Sequence, residues 1–167
     1  MRNFSSLVCL SLVLWFSPIG SAGATGDSWD GRIVRVLDGD SLMLRVEHED
    51  IPIRLARIDA PEWNQPYGQT ARRVLSEWVL NKRVHVDVVD TDRYDRSVVE
   101  MFVDGVHINR EMVRNGHAWA YTRFGGSLEV IELEREARAA RRGLWKLPAS
   151  QRQTPFNWRS TERHASP

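Results

Sequence analysis

Asp38–Gly39–Asp40 sits between two runs of alternating apolar and polar residues, and this segment narrows the possible folds more than any other. Asp-Gly flanked by such runs is the strongest short-range signal for a tight hairpin. Ile33–Leu37 reads as the strand before it. In the strand after it, Leu42, Leu44 and Val46 alternate with Ser41, Met43 and Arg45. Glu47–Asp50 is a polar turn, and Ile51–Ile58 a third strand. That strand ends where Pro61 forbids further ladder pairing and pushes Ala60 into extended geometry. Three strands in direct succession predict an antiparallel meander.

Beyond the meander, the loop Trp63–Gly68 leads into Ala71, Val74, Leu75, Trp78 and Val79, which recur at helical spacing and end near Asn81. Val84, Val86 and Val88 alternate as a fourth strand, Asp90–Arg96 is a charged loop, and Val98–Val103 is a fifth strand closed by Asp104–Gly105. Asn109 is placed to cap a short helix ended by Asn115–Gly116, and Ser127 to cap a last one. Val130, Leu133, Ala137, Ala140 and Leu144 form the predicted buried face of that helix. Its other face is charged, with Glu134 and Arg138 spaced for an i,i+4 pair. Five strands with a helix after the third and two more toward the end predict an α+β, mainly β chain. The architecture expected is a five-stranded Greek-key barrel of the OB type with three helices, a fold that often binds nucleic acid without fixing function.

The chain has 167 residues, enough for one domain with a real core. Met1–Ala24 has the layout of a secretory signal peptide: one early arginine, an apolar run from Leu7 to Phe16, and Ala22–Gly23–Ala24 as a small-residue cleavage site. The expected plan is therefore a leader over 1–24, a mobile lead-in over 25–30, one domain over 31–147, and a polar tail over 148–167 in which Phe156 and Trp158 pack back. An exported protein, periplasmic or secreted, follows, with no stable membrane insertion once the leader is removed. The single cysteine, Cys9, lies inside the leader, so the remaining fold must rest on packing alone and a Cys-based zinc site is excluded. Formal net charge is +1, and the leader carries Arg2 and no acid, so the remainder is neutral. Polyanion binding must then come from local placement of arginines.

Such a placement occurs at the end of the third strand. Arg54, Asp59 and Glu62 stand on one rigid edge and its exit turn. Carboxylates suit a divalent cation and a water, and a planar guanidinium fork suits phosphate oxygens. Taken singly, the bland readings hold: Asp38–Gly39–Asp40 is a hairpin turn, Arg96 a surface arginine, and Arg57, on the opposite face from Arg54, a surface residue. The five histidines show no metal spacing.

Taken together, Val36–Leu–Asp38–Gly–Asp40–Ser41, Ile53–Arg54–Leu–Ala–Arg–Ile–Asp59–Ala–Pro–Glu62 and Thr91–Asp92–Arg–Tyr94–Asp–Arg96 resemble the staphylococcal nuclease family. Pro66–Tyr67–Gly68, Arg114–Asn–Gly116 and Arg142–Gly–Leu–Trp145 extend the resemblance from about Gly31 to Trp145, in order. It implies a calcium-dependent phosphodiesterase acting on DNA and RNA with little sequence preference and leaving 3′-phosphate ends, expected as a monomer. By position, Asp40 and Asp59 would be calcium ligands with the carbonyl of Ala60. Arg54 and Arg96 would grip phosphate, and Glu62 would be the general base or water positioner. Tyr94 and Tyr121 would stack on base or sugar, core packing being the other reading. Two departures carry expectations. Ala60 replaces a common threonine, a mild loss if only its carbonyl is used. Asp95 replaces a common glycine before the second arginine, predicting either a changed backbone angle or an Asp95–Arg96 pair. The competing readings are an OB-fold module that binds nucleic acid without cutting it, and a structural envelope domain.

Overall fold

A computed structural model describes residues 27–123 and 126–165; the leader predicted over 1–24 lies outside them. β1 (Ser28–Val36), β2 (Ser41–Val46) and β3 (Glu49–Leu55) form the antiparallel meander. After the short β4 (Ile58–Asp59) comes α1 (Gly68–Val79). β5 (Arg83–Thr91) returns along β1, and β6 (Ser97–Val103) along β5. The sheet closes because β3 pairs with β2 on one edge and runs parallel to β6 on the other, through Ile53–Ser97, Arg54–Val98 and Leu55–Val99. The result is the predicted five-stranded OB-type barrel. β7 (Val106–His107) turns back to pair antiparallel with the end of β6, α2 (Ile108–Arg114) follows, and β8 (Trp119–Ala120) pairs with β4. α3 (Leu128–Ala139) and α4 (Pro155–Ala165) complete the order.

The alternation that defines the strands fills the barrel. Ile33, Leu42, Leu44, Ile53, Leu55, Val86, Val99 and Met101 are fully or almost fully buried, and α1 closes one end with Ala71, Leu75 and Val79. Burial of this many large aliphatic side chains, each worth about 1.5–3 kcal/mol, lets the described fold stand without disulfides. A second, smaller cluster joins Trp119, Ala137, Leu144 and Trp145, with the two indoles edge to face at 5.5 Å. It forms because Gly116 and Gly143, both at positive φ, let two backbones touch: Leu144 N–H donates to the Gly116 carbonyl at 2.8 Å. A Cβ on Gly143 would lie 2.1 Å from that same carbonyl oxygen.

Several boundaries differ from the sequence expectation, each for a physical reason. Ser28–Asp30 belong to β1 and pair with Asp87, Val86 and His85, because Trp29 packs on the core. β5 runs on through Asp90 and Thr91, with a bulge between Val88 and Asp90 that turns Val89 outward, so the charged loop shrinks. Ser127 precedes α3 without a side-chain cap, Ala140 is exposed, and Leu144 is buried from a 3-10 turn rather than from the helix. The predicted Glu134–Arg138 pair forms, but Glu134 also accepts the Ala120 N–H at 2.6 Å and so ties α3 to β8.

Asn109 is not the cap of α2. His107 takes that place, accepting from Arg110 N–H, and Asn109 is only 1 % exposed. Its amide donates to the carbonyls of Ala56 and Val99 and accepts from Met101 N–H, all within 3.1 Å. Asn109→Ala would take a partner from Met101 N–H and the Ala56 carbonyl, while the Val99 carbonyl keeps the Ala56 N–H at 2.8 Å, so we expect a loss of about 3 kcal/mol in denaturant unfolding; a loss below ~1 kcal/mol would show that the site relaxes around the gap.

Candidate active site

The hairpin turn builds the first part of the site. Asp38 Oδ1 accepts the N–H groups of Asp40 and Ser41 at 2.9 and 2.8 Å, an Asx turn that fixes the start of β2. The Asp40 carbonyl accepts Leu55 N–H at 2.8 Å, which binds the turn to the end of β3. Asp40, 3 % exposed, is then surrounded by donors: Arg54 Nη1 at 2.6 Å and Ser41 Oγ at 3.0 Å on Oδ1, and Ala60 N–H at 2.9 Å on Oδ2.

Arg54 lies opposite Ser41 in the β2–β3 register, so its guanidinium reaches the turn. Its second arm, Nη2, donates to Asp59 Oδ1 at 3.0 Å and to the Ile58 carbonyl at 3.3 Å. Asp59, 5 % exposed, is held by β4 pairing with Trp119. One guanidinium thus spans two buried carboxylates contributed by different strands. Asp40 first, and then Asp59, hold Arg54 firmly charged against the cost of burial. Burial and the neighbouring Asp40 raise Asp59, opposed by Arg159 and Arg54, and burial with Asp40 pushes Asp38 up to about 7. Negative charge is therefore crowded beyond what Arg54 alone balances.

Glu62 follows on a turn whose geometry is tightly set. Its N–H donates to Gln65 Oε1, its carbonyl accepts Gln65 N–H at 2.9 Å, and Gly68 lies so close beneath that a Cβ there would fall 1.8 Å from the Glu62 oxygen. The side chain is 28 % exposed, the most open of the three carboxylates, which suits a group that must meet water.

Arg96 reaches the cluster from the β5–β6 loop. Nη1 donates to Ser41 Oγ at 3.1 Å, while Nε and Nη2 hold Asp92 Oδ2 at 2.8 and 2.7 Å. The Ser41 hydroxyl thereby joins Arg96 to Asp40. The two expectations for Asp95 separate cleanly. Its φ is +60°, the left-handed backbone a glycine would take, and the carboxylate on Arg96 is Asp92 rather than Asp95. Asp tolerates that conformation better than most residues. Tyr94 is 64 % exposed, with the Arg93 and Arg96 guanidiniums over its ring at 4.8 and 5.6 Å. Tyr121 is half-buried after β8, its N–H donating to the Arg57 carbonyl, and Arg57 itself pairs with Glu100 on the surface.

A model of the staphylococcal nuclease homologue family matches residues 52–147. The chain is 39 % identical over 141 residues to Protein ParB of Escherichia coli, covering 77 % of this chain and 78 % of that one. It is 36 % identical over 147 residues to a micrococcal nuclease of Shigella flexneri, covering 81 % and 83 %. It is also 40 % identical over 116 residues to an uncharacterized endonuclease of Escherichia coli O157:H7, covering 69 % and 76 %. The chain belongs to the staphylococcal nuclease family.

This staphylococcal nuclease homologue has one site residue that lies past both the family match and the predicted domain. Arg159, on α4, donates to Asp59 Oδ1 and Oδ2 at 3.3–3.4 Å and pairs with Glu62 Oε1. Sequence reasoning treats 148–167 as a polar tail and passes over it. A signal for it exists in Thr154–Pro155: a hydroxyl cap followed by proline at the first helical position marks a helix start, and the aromatics Phe156 and Trp158 follow at once. Ser41 likewise has a role visible only in three dimensions, because it joins Arg96 from the β5–β6 loop to Asp40, whereas Asp38 and Asp92 act within their own turn and loop.

Proposed function

We propose that the protein is an exported, calcium-dependent nuclease that hydrolyses phosphodiester bonds of DNA and RNA with little sequence preference, leaves 3′-phosphate ends and acts as a monomer. The observation that carries this reading is the Asp40–Arg54–Asp59 array with Glu62 beside it. The micrococcal nuclease of Shigella flexneri among the relatives, and the signal-peptide layout of 1–24, support it.

The donor set fits a hard cation. Among the described residues no group of three or more His, Cys, Asp or Glu is arranged to hold a metal ion; an ion here would rest on two carboxylates, a carbonyl and water, displacing part of the Arg54 and Arg159 contacts. That is the kind of ligand set calcium accepts. Asp40 and Asp59 are adjacent, buried and mutually repelling, which a divalent ion relieves. Asp40, Asp59 and the Ala60 carbonyl would hold the calcium; bound there, it offsets the charge that develops on a phosphate oxygen.

The chain's own residues supply the rest. Glu62, anchored by Gln65 and open to solvent, orients a water and takes its proton as the water attacks phosphorus. Arg54 and Arg96 stand at the site on Asp40, Asp59, Ser41 and Asp92, and would exchange part of those contacts for the equatorial oxygens, where a guanidinium fork stabilises the extra charge. The 5′-oxygen leaves, and the phosphate stays on the 3′ side. Tyr94 gives a base a face to stack on.

The deciding experiment is cleavage of single-stranded DNA, double-stranded DNA and RNA by the purified protein with calcium, with magnesium and with chelator. Calcium-supported degradation to 3′-phosphate ends, abolished by chelator, is expected. Binding without cleavage would replace this reading with the nucleic-acid-binding module, which the commitment of Arg96 to Asp92 favours.

A further inference from the structure

α4 is not a loose tail. Gln65 Nε2 donates to the Gln153 carbonyl at 2.6 Å, Trp158 Nε1 donates to Asn64 Oδ1 at 3.1 Å, Asn64 in turn donates to Glu162, and Arg123 lies 3.9 Å over the Phe156 ring. All but the Arg123 contact land on residues 64–65, the loop directly after Glu62. Together they hold one face of the helix against the site and aim Arg159 into it.

The three guanidiniums at the cluster are differently committed. Arg54 is 19 % exposed and bridges two carboxylates; Arg96 is 25 % exposed and bound twice to Asp92. Arg159 is the most open at 35 %, and its contacts to Asp59 are long, 3.3–3.4 Å, where Arg54 makes one at 3.0 Å. It also touches Glu62, so a phosphate placed for attack by a water at Glu62 comes within reach of the Arg159 fork.

From this geometry we infer that Arg159 is a third phosphate-binding residue, delivered by a C-terminal helix outside the matched family segment. This rests on the nuclease reading of the same site. Without substrate, Arg159 serves as counterion to Asp59 and Glu62. When a phosphodiester enters, it exchanges the weak Asp59 contacts for charge-assisted bonds to a non-bridging oxygen, still anchored through the Trp158–Asn64 contact beside it.

The test uses the full chain with Arg159→Ala and Arg159→Lys. In calcium, Arg159→Ala is expected to raise KM about tenfold, the loss of one charge-assisted contact. Arg159→Lys keeps the charge without the fork and should recover part of that loss. Binding of a single-stranded oligonucleotide is then measured against salt in a Glu62→Gln background, so the strand stays intact. Removing one phosphate contact lowers the slope of log K against log salt by about 0.7; the Lys variant should keep it. An unchanged slope overturns the inference. So does an Arg159→Ala protein with tighter calcium binding and faster turnover, which would make α4 a plug on the site. If the unsubstituted protein cleaves nothing in calcium, the nuclease reading fails, while the salt slope still reports on Arg159 by itself.

Discussion

Glu62→Gln is expected to lower turnover by roughly 10²–10⁴-fold while leaving nucleic-acid affinity within a few-fold. Gln keeps the shape of the side chain, and the backbone contacts that place residue 62, through Gln65 and Gly68, do not involve its carboxylate. What disappears is the ability to take a proton from water, together with the charge that pairs with Arg159. Removing a negative charge near an incoming phosphate should, if anything, help binding. The check is steady-state cleavage alongside direct binding of an oligonucleotide. Equal losses in both would remove Glu62 from the chemical step and leave it a binding residue.

Arg54→Ala carries the largest expected effect on the fold. Its loss leaves Asp40 without its shortest ion pair and weakens the compensation of Asp59, both nearly fully buried. Breaking a buried pair by deleting one partner costs about 3–5 kcal/mol, because the abandoned charge stays behind. Protonation of Asp59, which burial and then Asp40 already raise, relieves part of that charge. The deficit should therefore be greatest at neutral and alkaline pH and shrink as pH falls toward the carboxylate range. Denaturant unfolding in chelator at pH 8 and pH 5 reads this directly, and a deficit equal at both would mean that no carboxylate left behind by Arg54 takes up a proton in that range. Arg54→Lys separates stability from function: one ammonium restores charge but cannot span Asp40 and Asp59 as two Nη groups do. We expect it to recover much of the stability and little of the cleavage.

The parts of this molecule that were legible in sequence are those governed by short-range rules. Asp38–Gly39–Asp40 gave the hairpin, and the alternation of Leu42, Leu44 and Val46 gave the core face of β2. Arg54, Asp59 and Glu62 could be singled out because a strand end and its exit turn place side chains predictably, Asp40 entered only through the family resemblance, and the structure brings all four together. Roles set by contacts distant in sequence were not legible. Asn109 looks like a cap by spacing, yet its neighbours in space make it the polar centre of a packed junction. Arg96 reaches Ser41, 55 residues back, and so joins the Asp40 cluster. Arg159 sits 97 residues from Glu62, and no periodicity links a helix to a turn so far back along the chain. Asp95 shows the converse: its positive φ was one of two readings open at that position, since the loop geometry belongs to the backbone and not to glycine itself.

The double pairing of β3 has a consequence for how the protein can fail. Arg54 sits between Ile53 and Leu55, which fill the barrel, so a slip of β3 by one residue would turn the guanidinium inward and an isoleucine or leucine into water. Ile53 and Arg54 have neighbours on both edges, so that slip would have to break two ladders at once, and the end of the strand that carries the guanidinium offers no open edge to another chain. A near-native state with a misaligned phosphate site is thereby removed from the accessible alternatives. Closing the barrel and aligning the guanidinium with its carboxylates are one event.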